Sequence, residues 1–194
     1  MAGDVNKVQP QFDTFNRTAR IRHRIEALYV YDGAQYATES NSHVWIMREF
    51  ANSTANHPGM PLPVGRVRFY RQDQDAQVEF TGENQIEHTP KDETLRIYTG
   101  NAFDIKAERR QTKLQSDMRQ PGGSVDESFE IKLRNHRTEA ATVRVVEHPD
   151  RWSNRTITEE SATHRQTDSK TIEYDVTLQP TEEKTPTYTA HYSW

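Results

Sequence analysis

A short segment of the chain holds three side chains that could bind a metal ion. His88, Asp92 and Glu93 lie within six positions of one another. His136 and His148 are two further imidazoles that a β-sheet could bring close to them. Imidazole nitrogens together with carboxylate oxygens form many zinc and transition-metal sites. A metal-dependent hydrolase would use His88, Asp92 and His136.

The same segment also has the composition of a structural turn. Thr89 and Asp92 are residue types that hydrogen-bond turn backbone, and Pro90 has a fixed φ angle. The spacing of the three candidate ligands matches no diagnostic metal motif. We therefore predict a turn here, with no metal and no other cofactor.

Other catalytic and ligand-binding patterns are incomplete in this sequence. Asp73 and Asp75 alternate like calcium ligands, but the glycine and the closing glutamate of a calcium loop are missing. No Gly-x-Ser-x-Gly motif marks a nucleophilic serine. The chain has no cysteine, which excludes disulfides, cysteine-ligated zinc and thiol catalysis. The sequence therefore predicts a protein that is not an enzyme.

A basic cluster near the start of the chain raises the question of a nucleic-acid partner. Arg17, Arg20, Arg22 and Arg24 lie close together, and three of them share one predicted strand face. The whole chain is nevertheless acidic, with 29 acidic and 25 basic residues and a net charge of -4. No motif of stacking aromatic residues accompanies the cluster. We predict no nucleic-acid partner.

Three tryptophans are candidates for binding or for the core. Trp45 and Trp194 lie in segments of alternating apolar residues, so we expect them to be buried. Trp152 follows a predicted strand in a turn, where it could meet a partner. Together with Tyr36 it could form an exposed aromatic platform for sugar rings. A carbohydrate-binding module is therefore one alternative function.

The elements that position these residues are predicted to be β-strands. Ile and Val outnumber Leu, which favours pleated, half-exposed strands over helices. Apolar residues alternate with charged ones through 67–69, 78–80 and 129–133, which is the strand period. Residues 104–118 have a helix-like composition, but their apolar positions form no helical stripe, so we predict a long strand. No apolar run approaches the roughly 20 residues of a transmembrane helix, and we predict no transmembrane segment.

Short strands separated by turns, without intervening helices, indicate an all-β fold. We predict an antiparallel β-sandwich with immunoglobulin-like two-sheet architecture, formed as a single domain by residues 19–194. Residues 1–18 contain Pro10 and are predicted to be an N-terminal arm outside any strand. Phe12 and Phe15 make this arm too apolar for a purely solvated tail. It is expected either to be flexible or to bridge subunits by docking onto a neighbouring copy.

Several ordered blocks of the sequence resemble a known bacterial family. The blocks are residues 60–70 continuing to Gly82 and Glu83, 86–93 continuing to 100–104, 130–136, 143–148, and 151–154. Over residues 45–194 they look like the C-terminal β-sandwich of a domain-of-unknown-function family that includes mucoidy inhibitor A-like proteins. This chain differs from the family at its start. The resemblance implies a β-sandwich in an extracytoplasmic setting, either secreted or in the bacterial envelope, with no established activity.

The function expected from the sequence is that of a non-enzymatic, extracytoplasmic structural or protein-interaction module. Its partner would be another protein, including a second copy of itself bound through the arm and an open sheet edge. Phe12, Phe15 and Trp152 are the predicted interaction residues. Carbohydrate binding and metal-dependent hydrolysis remain the alternatives.

Overall fold

A computed structural model describes residues 8–14, 17–20, 25, 27–33, 41–55, 59–72, 77–118, 122–151 and 154–194. The regular structure in these residues consists of strands, without a helix. In chain order the strands are β1 (Val8–Thr14), β2 (Arg17–Arg20), β3 (Ala27–Asp32), β4 (Val44–Ala51), β5 (Gly65–Gln72), β6 (Val78–Ile86), β7 (Thr94–Ala102), β8 (Ile105–Asp117), β9 (Ser124–Asn135), β10 (Ala141–Glu147), β11 (Arg155–Glu160), β12 (Arg165–Gln166), β13 (Ile172–Leu178), β14 (Glu183–Lys184) and β15 (Thr187–Ser193).

The predicted fold class, an all-β antiparallel β-sandwich, is confirmed. The strand predicted over residues 104–118 is present as β8. A helix able to cross a membrane is not found among the described residues. The chain divides into two compact units, one formed by residues 1–28 and 45–101 and the other by residues 29–44 and 102–194. The sequence had predicted one domain over residues 19–194.

The first unit contains a four-stranded sheet in the order β2-β1-β5-β6. It also contains the strands β4 and β7, which pair with each other. Alternate residues of β5 point inward, so that Val67 and Phe69 are fully buried. They belong to an apolar core that also contains Ile25, Phe50, Leu62, Ile86, Leu95 and Ile97. This core holds the strands of the first unit together.

The second unit contains two sheets that pack face to face. One has the strands β12-β13-β10-β3, and the other has β11-β15-β9-β14 with β8 on the free side of β9. The pairing of β3 with β10 is parallel, whereas the other strand pairs described for this unit are antiparallel. Tyr174 on β13 and Tyr188 on β15 meet between the sheets, with their ring centroids 6.0 Å apart. The predicted alternation is clearest in β9, where every second side chain is buried.

The N-terminal segment differs from the sequence prediction. Val8–Thr14 form β1, which pairs with β5, whereas residues 1–18 were expected to lie outside any strand. That expectation rested on Pro10, which cannot donate a ladder hydrogen bond. In the described chain β2 pairs only with Gln11–Thr14, so β1 has a single partner at Pro10. A proline is tolerated where one side of a strand is unpaired.

A β-bulge in β6 changes the expected faces of that strand. Phe69 pairs with Gly82, but the next residue, Tyr70, pairs with Phe80, so Thr81 is an extra residue. An extra residue moves the following side chains to the opposite face of the sheet. Val78 and Phe80 are therefore 63% and 52% exposed instead of lying in the core.

The tryptophan predictions are also corrected. Trp194 is 47% exposed, because β15 ends at Ser193 and the last residue lies beyond the covered part of the strand. Trp45 is half-buried. The alternation expected before Trp194 is present, since Tyr188, Ala190 and Tyr192 are buried.

Candidate functional site

The most distinctive chemical group in the protein is a buried ion pair between the two sheets of the second unit. The Nε atom of Arg109 on β8 donates to both carboxylate oxygens of Glu147 on β10, over 3.1 and 2.9 Å. The hydroxyl of Tyr188 on β15 donates to the same carboxylate over 2.6 Å. Three strands from two sheets thus meet at Glu147.

Aromatic rings enclose the guanidinium of this cluster. Arg109 lies over the Phe129 ring, with its Cζ 3.8 Å from the ring centroid. Phe129 in turn stacks on Tyr188, with the ring centroids 5.3 Å apart. A cation over a desolvated ring is attracted by the ring's quadrupole. The Phe129 ring therefore stabilises the positive charge of Arg109.

Burial and charge pairing change the ionisation of these groups. Burial raises the pKa of Glu147 above its ordinary value of 4.5, although the hydrogen bonds from Arg109 and Tyr188 oppose that change. Burial also raises the pKa of the Tyr188 hydroxyl well above 10.0. Burial by itself would lower the pKa of Arg109. The attraction between its guanidinium and the Glu147 carboxylate outweighs this effect, so the pKa of Arg109 is raised.

A raised carboxyl pKa in a cluster of this kind is typical of catalytic acids, but the access a catalyst needs is missing here. The side chain of Glu147 is 0% exposed and that of Arg109 is 7% exposed. Both groups are thus enclosed by the residues that the structure describes. The cluster is therefore a structural connection between the sheets.

A second polar network lies at the end of β10. The Nε2 atom of His148 is 3.1 Å from a carboxylate oxygen of Asp32, the last residue of β3. Its Nδ1 atom is 3.3 Å from the Thr171 hydroxyl. The hydrogen bond with Asp32 raises the pKa of His148 above 6.5. This pair ties together the ends of the parallel strands β3 and β10.

The residues of the alternative metal site do not belong to one unit. His88 and Asp92 are exposed in the first unit, in the turn that the sequence predicted, and His136 is exposed in the second unit. The Nδ1 atom of His88 accepts a hydrogen bond from the Val64 backbone over 3.3 Å. Within the described part of the chain, no group of three or more His, Asp or Glu side chains could hold a metal ion. The described residues thus offer no ligand set for the alternative metal-dependent hydrolase.

The predicted interaction residues lie largely outside the described part of the chain. Phe15, Trp152 and Tyr36 are not among the described residues, nor are Asp73 and Asp75 of the calcium-like segment. Phe12 lies in β1, paired with Ala19 and Val67. The carbohydrate alternative, which depends on Trp152 or Tyr36, stays a prediction.

The bulge in β6 creates an exposed apolar surface that the sequence did not predict. Tyr70, Val78 and Phe80 form this surface, which we call the hairpin patch. Tyr70 and Phe80 make an edge-to-face contact with their ring centroids 5.8 Å apart. Tyr70 points away from the core because its neighbour Phe69 is fully buried. Phe80 shares this outward face because it lies directly opposite Tyr70.

Charged side chains of both signs lie beside the hairpin patch on the same sheet face. Glu83 is paired with Arg68 at 3.1 Å and with Arg66 at 3.2 Å. Arg71 and Glu79 form an ion pair on the opposite face of the hairpin, because they are the strand neighbours of Tyr70 and Phe80. Apolar residues next to charged ones are typical of a protein-interaction surface.

Two signals in the sequence could have indicated the buried pair of Arg109 and Glu147, which was not predicted. Arg109 follows Ile105 and Ala107 at the strand period, and Glu147 follows Val143 and Val145 in the same way. A charged residue at an inward position of a strand indicates a buried pair. For the bulge at Thr81 the signal is Gly82, because an isolated glycine inside a strand often marks a bulge.

Comparisons with known proteins identify no relative of this chain. No protein-family model, no curated protein and no solved structure matches it.

Proposed function

We propose that this protein is a non-enzymatic structural or protein-interaction module that associates with a second copy of itself through the hairpin patch. The observation that carries the proposal is the outward placement of Val78 and Phe80, which are 63% and 52% exposed. Neighbouring apolar residues on a regular sheet face mark interaction sites more often than single exposed residues do.

The charges around the patch favour a second copy as the partner. Most oligomers of identical chains have two-fold symmetry, in which one surface meets the same surface of its partner. Such a surface must complement itself. The same sheet face carries two arginines (Arg66 and Arg68) and a glutamate (Glu83), so each sign can face the other across a two-fold axis.

The non-enzymatic part of the proposal is supported by the state of the ionisable groups. Burial raises the pKa of Glu147. This side chain is enclosed between the sheets and hydrogen-bonded to Arg109 and Tyr188. His148 is engaged by Asp32 and Thr171. These interactions stabilise the fold and leave the groups engaged within the protein.

An extracytoplasmic location belongs to the same proposal and rests on the family resemblance alone. The resemblance to mucoidy inhibitor A-like proteins implies a secreted or envelope-associated protein. Fractionation of the native host with an antibody against this chain tests that part. Recovery in the cytoplasmic fraction would contradict it.

Sedimentation velocity over a range of concentrations tests self-association through the patch. The wild-type chain is expected to sediment faster as its concentration rises. The double variant Val78→Ser/Phe80→Ser is expected to remain a monomer, because serine removes the apolar centre of the surface. Met60→Ser is a matched control, since Met60 is 52% exposed in the same unit but lies outside the patch.

The control variant is expected to associate like the wild type. Circular dichroism checks that all three proteins keep their β-sheet signal. A wild-type chain that is monomeric at high micromolar concentration contradicts the proposal. So does a double variant that associates as strongly as the wild type.

A further inference from the structure

The second unit contains an open cleft beside β13. Its volume is about 360 Å3, within the range of small-ligand sites. Asp175 and Thr177 of β13 line one wall, and Ala162, Lys184 and Pro186 lie among the residues that close the others. One edge of β13 therefore faces an accessible space.

The edge of β13 that faces away from β10 is covered at both ends. At one end β12 pairs with it, through Arg165 opposite Glu173. At the other end the ammonium group of Lys184 donates to the Thr177 carbonyl over 2.6 Å. Asp175 lies between these two points. In the described chain no strand pairs with Asp175 on this side.

The backbone groups of Asp175 point into this opening. In an antiparallel strand the N–H and C=O of one residue point to the same side, and alternate residues point to opposite sides. The Thr171 carbonyl accepts from Thr167 on the β12 side, and the Thr177 carbonyl accepts from Lys184. Asp175 lies an even number of positions from both Thr171 and Thr177. Its N–H and C=O therefore point to the same side as theirs, into the cleft.

We propose that this cleft binds an extended peptide segment, which adds to the free edge of β13 as a further strand. The Asp175 N–H donates to the peptide and the Asp175 carbonyl accepts from it. From Glu173 to Thr177 the edge is about 13 Å long at the usual strand rise, the length of about four residues. Main-chain bonding to an open sheet edge is an established mode of peptide recognition.

The charges of the cleft favour recognition of peptide backbone over recognition of a charged group. The Asp175 carboxylate accepts from Arg144 over 2.9 Å, and the Lys184 ammonium lies 3.4 Å from Glu182. Each charge thus already has a partner of opposite sign. Ala162 and Pro186 provide small apolar contacts, which fit a peptide residue with a small side chain.

Lys184 restricts entry to this site. A lysine beside a sheet edge protects the edge against unwanted strand pairing. Here the ammonium group of Lys184 is hydrogen-bonded to the Thr177 carbonyl, but it makes no hydrogen bond to the backbone of Asp175. Movement of this flexible side chain opens a third backbone group to the peptide, so removal of Lys184 should strengthen binding.

Selection from a library of random heptapeptides displayed on phage, with the full chain as bait, tests the proposal. The best peptide is then synthesised with a fluorescent label, and its affinity is measured by anisotropy. Asp175→Pro removes the N–H that donates to the peptide. Ala162→Trp fills the cleft, and Thr163→Trp is its control because Thr163 is an exposed neighbour that does not line the cleft.

We expect Asp175→Pro and Ala162→Trp to weaken binding at least about tenfold, which corresponds to about 1.4 kcal/mol. Thr163→Trp should bind like the wild type, and Lys184→Ala should bind more tightly. Amide resonances of Asp175 and Thr177 should shift when the peptide is added. The proposal is overturned if no peptide is enriched, or if the selected peptide binds Asp175→Pro and Ala162→Trp as well as the wild type.

This site is independent of the hairpin patch, which belongs to the other unit. The double variant Val78→Ser/Phe80→Ser should keep its peptide affinity. The two proposals can therefore fail separately.

Discussion

Tyr188 on β15 donates its hydroxyl hydrogen to Glu147 on β10 over 2.6 Å, and so connects the two sheets of the second unit inside their apolar core. The carboxylate also accepts from Arg109, which completes a pair enclosed by aromatic rings. A buried ion pair of this kind is a poor source of net stability, but it is costly to break. This difference leads to a testable prediction.

Glu147→Gln should destabilise the protein by about 3 to 5 kcal/mol, because it leaves the Arg109 charge buried without a counter-charge. The double variant Arg109→Met/Glu147→Leu should recover most of that loss, since it removes both charges together. Urea unfolding of the wild type, Arg109→Met, Glu147→Leu and the double variant measures the coupling. Additive single losses would contradict a direct pair.

Tyr188→Phe is a milder test of the same cluster. The ring remains to stack on Phe129, but the carboxylate of Glu147 loses one donor. A buried acceptor that loses its partner costs about 1 to 3 kcal/mol. Thermal unfolding should show a lower melting temperature with an unchanged β-sheet signal. An unchanged melting temperature would mean that the hydroxyl bond contributes nothing.

Stability should depend on pH through His148. The hydrogen bond with Asp32 raises the pKa of His148 above 6.5, so the folded state binds its proton more tightly than the unfolded state. This contribution is fully present below pH 6.5 and is lost as pH rises through the raised pKa. Facing charged groups are Asp32, Glu147 and Asp150, which all favour the protonated ring.

His148→Gln should flatten the pH dependence of the unfolding free energy in that window. His136→Gln is a control, because His136 is exposed and belongs to the same unit. Denaturant unfolding at a series of pH values measures the difference. Parallel curves for the wild type and His148→Gln would show that the pair contributes no pH-dependent stability.

Parts of the fold could be predicted from the sequence because local alternation determines which strand face is buried. Phe129, Ile131 and Leu133 alternate with charged residues, and β9 buries them as expected. The same reasoning gave the wrong face for Val78 and Phe80. One extra residue at Thr81 reverses the alternation. This bulge forms where β6 pairs with β5, and the alternation within β6 alone does not show that pairing.

The candidate sites could be predicted less well because they join residues that are far apart in the chain. Arg109 and Glu147 are 38 positions apart, and their contact depends on the packing of two sheets. The cleft beside β13 depends on the short strand β12 and on Lys184, which partly cover an edge. The exposure of Trp194 depends on where β15 ends.

Tyr192 and Trp194, the last two aromatic residues of the chain, should differ sharply in their contribution to stability. Tyr192 is 1% exposed, whereas Trp194 is 47% exposed and its indole lies against Gly123. Tyr192→Ala should cost about 3 to 5 kcal/mol, as truncation of a buried aromatic residue does. Trp194→Ala should cost about 1 kcal/mol, the centre of the range for single substitutions. Similar urea midpoints for the two variants would contradict the described burial.

Asn52 should tolerate alanine better than aspartate. It is fully buried, and its side-chain amide donates to the carbonyls of Met60 and Pro90 over 2.8 and 2.9 Å. Asn52→Asp replaces two donors by a carboxylate that faces two carbonyl oxygens, and burial of an unpaired charge is costly. Asn52→Ala loses the hydrogen bonds without adding a charge. The free energy of unfolding at neutral pH checks this order. A higher value for Asn52→Asp than for Asn52→Ala would contradict this arrangement.

Photo-crosslinking detects contact between two copies at the hairpin patch. Tyr70 is replaced by the photoreactive residue p-benzoylphenylalanine, and equal amounts of 14N- and 15N-labelled chains are mixed and irradiated. Mass spectrometry then identifies cross-linked peptides that combine one light and one heavy segment. We expect mixed-isotope links from position 70 to residues of β5 and β6, and we expect these links to be lost in Val78→Ser/Phe80→Ser. Links confined to single-isotope pairs, or mixed links that avoid β5 and β6, would contradict contact through the patch.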